Sequence, residues 1–261
     1  MSTTVGGVAG SSATERSEGR KGLINFKSIL AGAAAIAIIF AVARWYQQWA
    51  SWEFGLDSTE AVFDVYWMTV FWAEVTLIPL FGLGTAGYLW MTRDLNVFSI
   101  TPREELKRYF NLVGMLFVFA FTFMLAVIIF GEQDAAWHQT VVRDTSFTPS
   151  HIFLFYGSIP VAVCLGTSAF MYARTRIPAF AEAWSVPFIV AVTGPFMVLP
   201  TVAYNEWGHA FWLMEEYFTV PLHWGFVVMG WAIICLGGLI LQVMGRLGYL
   251  IEEVTKDSEQ V

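Results

Sequence analysis

Long apolar runs separated by short polar connections dominate the chain. Six of them approach or exceed the roughly 20 residues that a helix needs to cross hydrocarbon: 27–46, 65–91, 110–133, 151–173, 185–204 and 223–245. The first is strictly apolar only over Ile29–Ala43, and it reaches full length with Lys27 and Arg44 extending their heads to the interfaces. None of the runs alternates apolar and polar residues as a barrel strand does, so helices must satisfy the backbone. The pattern predicts an all-α, polytopic transmembrane bundle of about six spans over residues 23–250. A Gly/Ser/Thr-rich tail at 1–22 is expected to be disordered, and a short polar tail at 251–261 follows the bundle. Residues 1–22 lack the apolar core and cleavage site of a signal peptide.

Composition supports lipid as the solvent. Of 261 residues, 57% are hydrophobic and 13% charged, too few charges to cover that apolar surface in water. The 12 Trp and 9 Tyr suit the boundary between hydrocarbon and headgroups. A net charge of −7 and the lack of a basic stripe exclude nucleic acid as a partner. Cys164 and Cys235 sit within apolar runs without CxxC spacing and read as buried, inert thiols.

The connections divide sharply by charge. Arg16, Arg20, Lys21, Lys27, Arg93, Arg103, Lys107, Arg108, Arg174, Arg176, Arg246 and Lys256 fall on one side, leaving only Arg44 and Arg143 of the 14 basic residues on the other. The positive-inside rule then makes both termini cytoplasmic and turns the first, third and fifth connections outward.

All 4 histidines lie at the outer ends of the third to sixth spans, in or beside those outward connections. The third connection reads Asp134-Ala-Ala-Trp137-His138, then Phe147-Thr148-Pro149-Ser150-His151; the fifth reads Asn205-Glu-Trp207-Gly-His209, then Phe218-Thr219-Val-Pro221-Leu-His223. Asp134 and His138, four apart, share a face of a helix extending the third span. His151 opens the fourth span, so an antiparallel helix pair brings the three together. Thr148 and Thr219 are candidate N-caps, with Pro149 or Pro221 in the first turn. Two neutral imidazoles and a carboxylate with open positions suit Fe(II), Cu or Zn, and the spacing does not choose among them. Asn205, His209 and His223 repeat the arrangement with an amide, which binds a divalent ion more weakly. One histidine near an interface is ordinarily just a polar residue. Four histidines gathered at helix ends, with oxygen donors four residues ahead, favour metal binding.

At these six positions the sequence resembles the C subunits of the copper membrane monooxygenase family, which includes particulate methane monooxygenase and ammonia monooxygenase. The likeness runs from about residue 23 to the C-terminus. It implies that Asp134, His138 and His151 form the family's metal site in this subunit, taken as catalytic, which has held copper or, adventitiously, zinc in crystals. It implies that Asn205, His209 and His223 form a neighbouring copper site. It further implies A and B partner subunits in a trimer of heterotrimers, a bacterial inner or intracytoplasmic membrane with its lipids, and a quinol-type reductant. The implied reaction is oxidation of methane to methanol by O₂. An ammonia monooxygenase subunit, or a non-catalytic metal-binding or transport subunit, is the alternative. A haem carrier is disfavoured because its histidines lie inside spans, and a di-iron desaturase because it uses about eight histidines. Glu74, about three turns into the second span, reads equally as a helix-contact group and as a proton acceptor or outer partner of the metal. Phe117, Phe121 and Met124 read as lipid-facing or packing residues rather than a substrate box.

Overall fold

The computed structural model describes residues 23–134, 147–197, 231 and 233–259. These residues form helices and short connections, and five helices are long and apolar enough to span a membrane: α1 (Phe26–Phe54), α2 (Ala61–Met91), α3 (Pro102–Asp134), α4 (Pro149–Arg176) and α7 (Ile233–Asp257). Between α4 and α7 lie a short helix α5 (Pro178–Glu182) and α6 (Val186–Thr193), the latter continued by a 3₁₀ turn at Gly194–Met197. The predicted span 185–204 begins as α6 and its 3₁₀ continuation, and residues 198–204 lie outside the described residues, as does the tail 1–22. The chain is an all-α integral membrane bundle.

The helices overrun the predicted spans because hydropathy marks only the part in hydrocarbon, while helical hydrogen bonding continues through the interface. Thus α1, predicted to end at 46, continues to Phe54 and stops at Gly55, whose φ of +75° a side chain would resist. Capping residues set the starts. The Asn25 side chain accepts from the Ser28 N–H (3.2 Å), that of Thr101 from the Glu104 N–H (3.3 Å), and that of Ser185 from the Phe188 N–H (3.2 Å). Residues 251–259 continue the last helix to Glu259.

Helix α4 is the axis of the bundle. Its apolar window is 67% buried, against 28% or less in each of the other four spans. Ala162, Gly166, Ala169 and Ala173 are all buried and recur at helical spacing, letting α3 and α6 approach closely. Cys164 donates its thiol to the Ile78 carbonyl (3.6 Å), and its sulfur sits where a Cβ on Gly82 would lie, so it is a packing group. Phe117 (51%) and Met124 (46%) are exposed on the bundle surface, as read from the sequence.

Polar side chains lock the end at which α3 begins. Arg108 pairs with Asp94 (2.7 Å) and Glu104 (3.1 Å) and donates to the Arg176 carbonyl (2.7 Å). The Asn96 backbone N–H and the Arg108 guanidinium hold the Asp94 carboxyl below the usual carboxylate range. Arg246 of α7 grips both Glu105 oxygens at 2.8 Å. Glu105 is buried, so Arg246→Met leaves an uncompensated carboxylate at a cost on the order of 2 kcal/mol after allowing for the solvent that reaches the arginine. Lower thermal stability in detergent, partly restored by adding Glu105→Gln, is the expected result.

Candidate metal centre

The opposite end of the bundle holds the two site residues that the structure describes. Asp134 closes α3 and His151 lies in the first turn of α4; both are buried, at 7% and 5% exposure. His151 Nε2 stands 3.3 Å from Asp134 Oδ1. Thus the third connection does bring its carboxylate and its returning imidazole together. His138, Asn205, His209 and His223 lie outside the described residues, as do Thr219 and Pro221. Among the described residues no group of three His, Cys, Asp or Glu side chains converges.

The local helical geometry is unusual on both arms. A π-helical segment, Val127–Gly131, precedes Asp134 by three residues, and another, Ile152–Ser158, follows His151 directly. Such widened turns insert extra residues into a helix and commonly sit beside functional groups. Here the two segments pack together, with Phe130 stacked on Phe153 at 5.8 Å and 16°. Phe40 of α1 meets Phe130 edge-on at 5.5 Å, and Tyr46 meets Phe153 at 6.3 Å. Aromatic rings therefore form an apolar support beneath the Asp134–His151 pair, and the His151 ring leans on Phe155 at 5.1 Å. Thr148 stands at the N-cap position with Pro149 following, as predicted, but its hydroxyl does not cap the helix.

Sequence reasoning missed two supporting residues. Ser150 donates its hydroxyl to Asp134 Oδ1 at 2.7 Å, the same oxygen that faces His151. Gln47, fully buried at 0% exposure, donates to the Pro149 carbonyl at 3.3 Å. Adjacency to His151 is the only sequence signal for Ser150. Gln47 lies one residue beyond the predicted end of the first span, where polarity carries no information about contacts.

Metal–donor bonds of about 2.05 Å in tetrahedral geometry set neighbouring donors about 3.3 Å apart. The observed Oδ1–Nε2 separation of 3.3 Å is compatible with that spacing. An oxygen and a nitrogen donor so placed would hold one edge of a coordination shell. Ser150→Ala removes the hydroxyl that orients the carboxylate. If Asp134 and His151 hold a metal, loss of such an outer partner lowers its affinity by about tenfold or more, and competition with a chelator in native membranes is the check.

Glu74 lies elsewhere. It projects from α2 onto α4 where Gly157 leaves room: a Cβ there would come within 2.5 Å of Glu74 Oε1. Its Oε2 is buried and has no hydrogen-bond partner among the described residues. Of the two sequence readings, the helix contact is observed. A cavity of about 340 Å³ lies between the start of α1 and the middle parts of α3 and α4, lined by Asn25, Ser28, Asn111 and Ser168 among apolar groups, and neither Asp134 nor His151 lines it.

A family model for the C subunit of ammonia monooxygenase/methane monooxygenase matches residues 10–254. No curated protein matches the chain.

Proposed function

The chain belongs to the family of ammonia and methane monooxygenase C subunits, and from that premise we propose that it is the C subunit of a copper-dependent methane monooxygenase. Its A and B partners join it as a trimer of heterotrimers in a bacterial inner or intracytoplasmic membrane. Both termini are cytoplasmic and the metal sites face outward, a placement supported by the distribution of basic residues among the connections. The overall step is CH₄ + O₂ + QH₂ → CH₃OH + H₂O + Q, in which a quinol supplies both electrons and both protons.

The observation that carries this reading is the buried Asp134–His151 donor pair at 3.3 Å. Asp134, His138 and His151 would hold one copper; Asn205, His209 and His223 would hold a second. Copper, when bound, supplies O₂ binding and reduction. The chain's own residues supply position and dryness. Ser150 fixes which Asp134 oxygen faces His151. The Phe130–Phe153 stack and Phe155 close the inner side of the site with apolar surface, which excludes water while admitting a small apolar substrate from lipid. Exposed apolar residues of α2, including Trp72, Leu77, Phe81 and Leu83, face lipid or the partner subunits.

Copper K-edge absorption and metal counting on native membranes test the assignment in His151→Ala and Asn205→Ala. Each change is expected to remove copper from one site, and methane hydroxylation should fall in the first. Unaltered copper and turnover in both variants reject the copper reading. Faster turnover of ammonia than of methane by the unaltered complex assigns it to ammonia oxidation instead.

A further inference from the structure

We propose that the outer end of α1 is a clamp that sets the distance between the two arms of the metal site, with Gln47 and Arg44 as positioning residues. The idea rests on the copper reading above but concerns a helix that supplies no ligand. Gln47 is fully buried at 0% exposure and uses both ends of its amide. Its Nε2 donates to the Pro149 carbonyl at 3.3 Å, two residues before His151, and its Oε1 accepts from Arg44 at 3.0 Å. One hydrogen-bonded chain, Arg44–Gln47–Pro149, thus joins α1 to the residue two ahead of His151.

The placement at Pro149 matters because α4 changes character there. The Ile152 N–H is shared between the carbonyls of Thr148 and Pro149, and π spacing begins at Ile152. A helix start with shared and rearranged hydrogen bonds is easily displaced. A donor from another helix at that point fixes it. An apolar residue of the same length at position 47 would fill the space without the desolvation cost of a buried amide. What the amide adds is direction: it ties the turn carrying His151 to α1. The Phe40–Phe130 contact ties α1 to the other arm. A ligand site loosened by about 1 Å in one arm loses its coordination edge, so support of this kind governs metal retention.

The test uses the intact complex in native membranes carrying Gln47→Met, which keeps length and removes the amide, and Gln47→Asn, which withdraws it by one methylene. Two readouts are taken. In copper-stripped membranes, hydrogen exchange of peptides covering 147–155 is expected to accelerate in both variants, more in Met than in Asn. In copper-loaded membranes, retention against a chelator should fall about tenfold in Gln47→Met, with increased disorder in the copper–nitrogen shell. Wild-type exchange over 147–155 together with wild-type copper retention overturns the clamp. Should Gln47→Met fail to assemble, Gln47→Asn decides alone: accelerated exchange supports the clamp, and wild-type exchange overturns it. Asp134→Ala, run in parallel, separates the two ideas. If it keeps its copper the metal reading fails, and the exchange result on stripped membranes still decides the clamp.

Discussion

On the proposed copper methane monooxygenase reading, Asp134→Ala is expected to abolish copper binding at the first site and reduce methane hydroxylation to background. Asp134 supplies the only anionic donor in its predicted ligand set, and it is buried beside His151 with Ser150 bonded to the donor oxygen. Losing an outer partner already lowers metal affinity by about 10- to 100-fold, so losing the ligand itself should exceed the upper figure. Two further variants grade the effect. Asp134→Asn keeps the shape and one acceptor oxygen but drops the charge, giving the first site the donor set read for the second; its affinity should fall between wild type and Asp134→Ala. Ser150→Ala should be the mildest of the three. The order is checked by copper stoichiometry against chelator concentration, alongside methane turnover. An Asp134→Ala complex with full copper and full turnover would remove the carboxylate from the site.

Gly166→Leu is expected to destroy the assembled fold. A Cβ at Gly166 would stand 2.9 Å from Val192 Cβ and 3.0 Å from Phe119 Cδ2 and Cε2. Those atoms belong to a branched aliphatic side chain and an aromatic ring, both buried, on two different helices. Neither yields without moving its backbone. Gly166→Ala should therefore cost about 1–3 kcal/mol through overpacking, and the three further carbons of Leu push α3 and α6 off α4 altogether. Gly157 provides the contrast, since its added Cβ would meet chiefly the carboxylate end of Glu74. That flexible end swings aside, so Gly157→Ala should perturb stability less than Gly166→Ala. Thermal unfolding in detergent ranks the variants, and equal midpoints for the two Ala substitutions would contradict the packing argument.

The sequence was sufficient for the helical class and for placing Asp134 and His151 at adjoining helix ends. Whether a residue enters lipid depends mostly on its own neighbours along the chain, because hydropathy sums locally and lipid imposes helical hydrogen bonding on every span. The return of His151 towards Asp134 followed from the short connection between two antiparallel helices. Tertiary structure alone decided the rest. The Gln47–Pro149 hydrogen bond joins residues 102 apart in the chain. The π turns beside Asp134 and His151, the Phe130–Phe153 stack and the seat of Gly166 against Phe119 and Val192 likewise depend on which helix faces meet. Between lipid-embedded helices the hydrophobic effect discriminates little, since a leucine against lipid is as well solvated as a leucine against protein. Close fit and a few polar bonds choose the partners, and these are properties of surfaces built from distant residues.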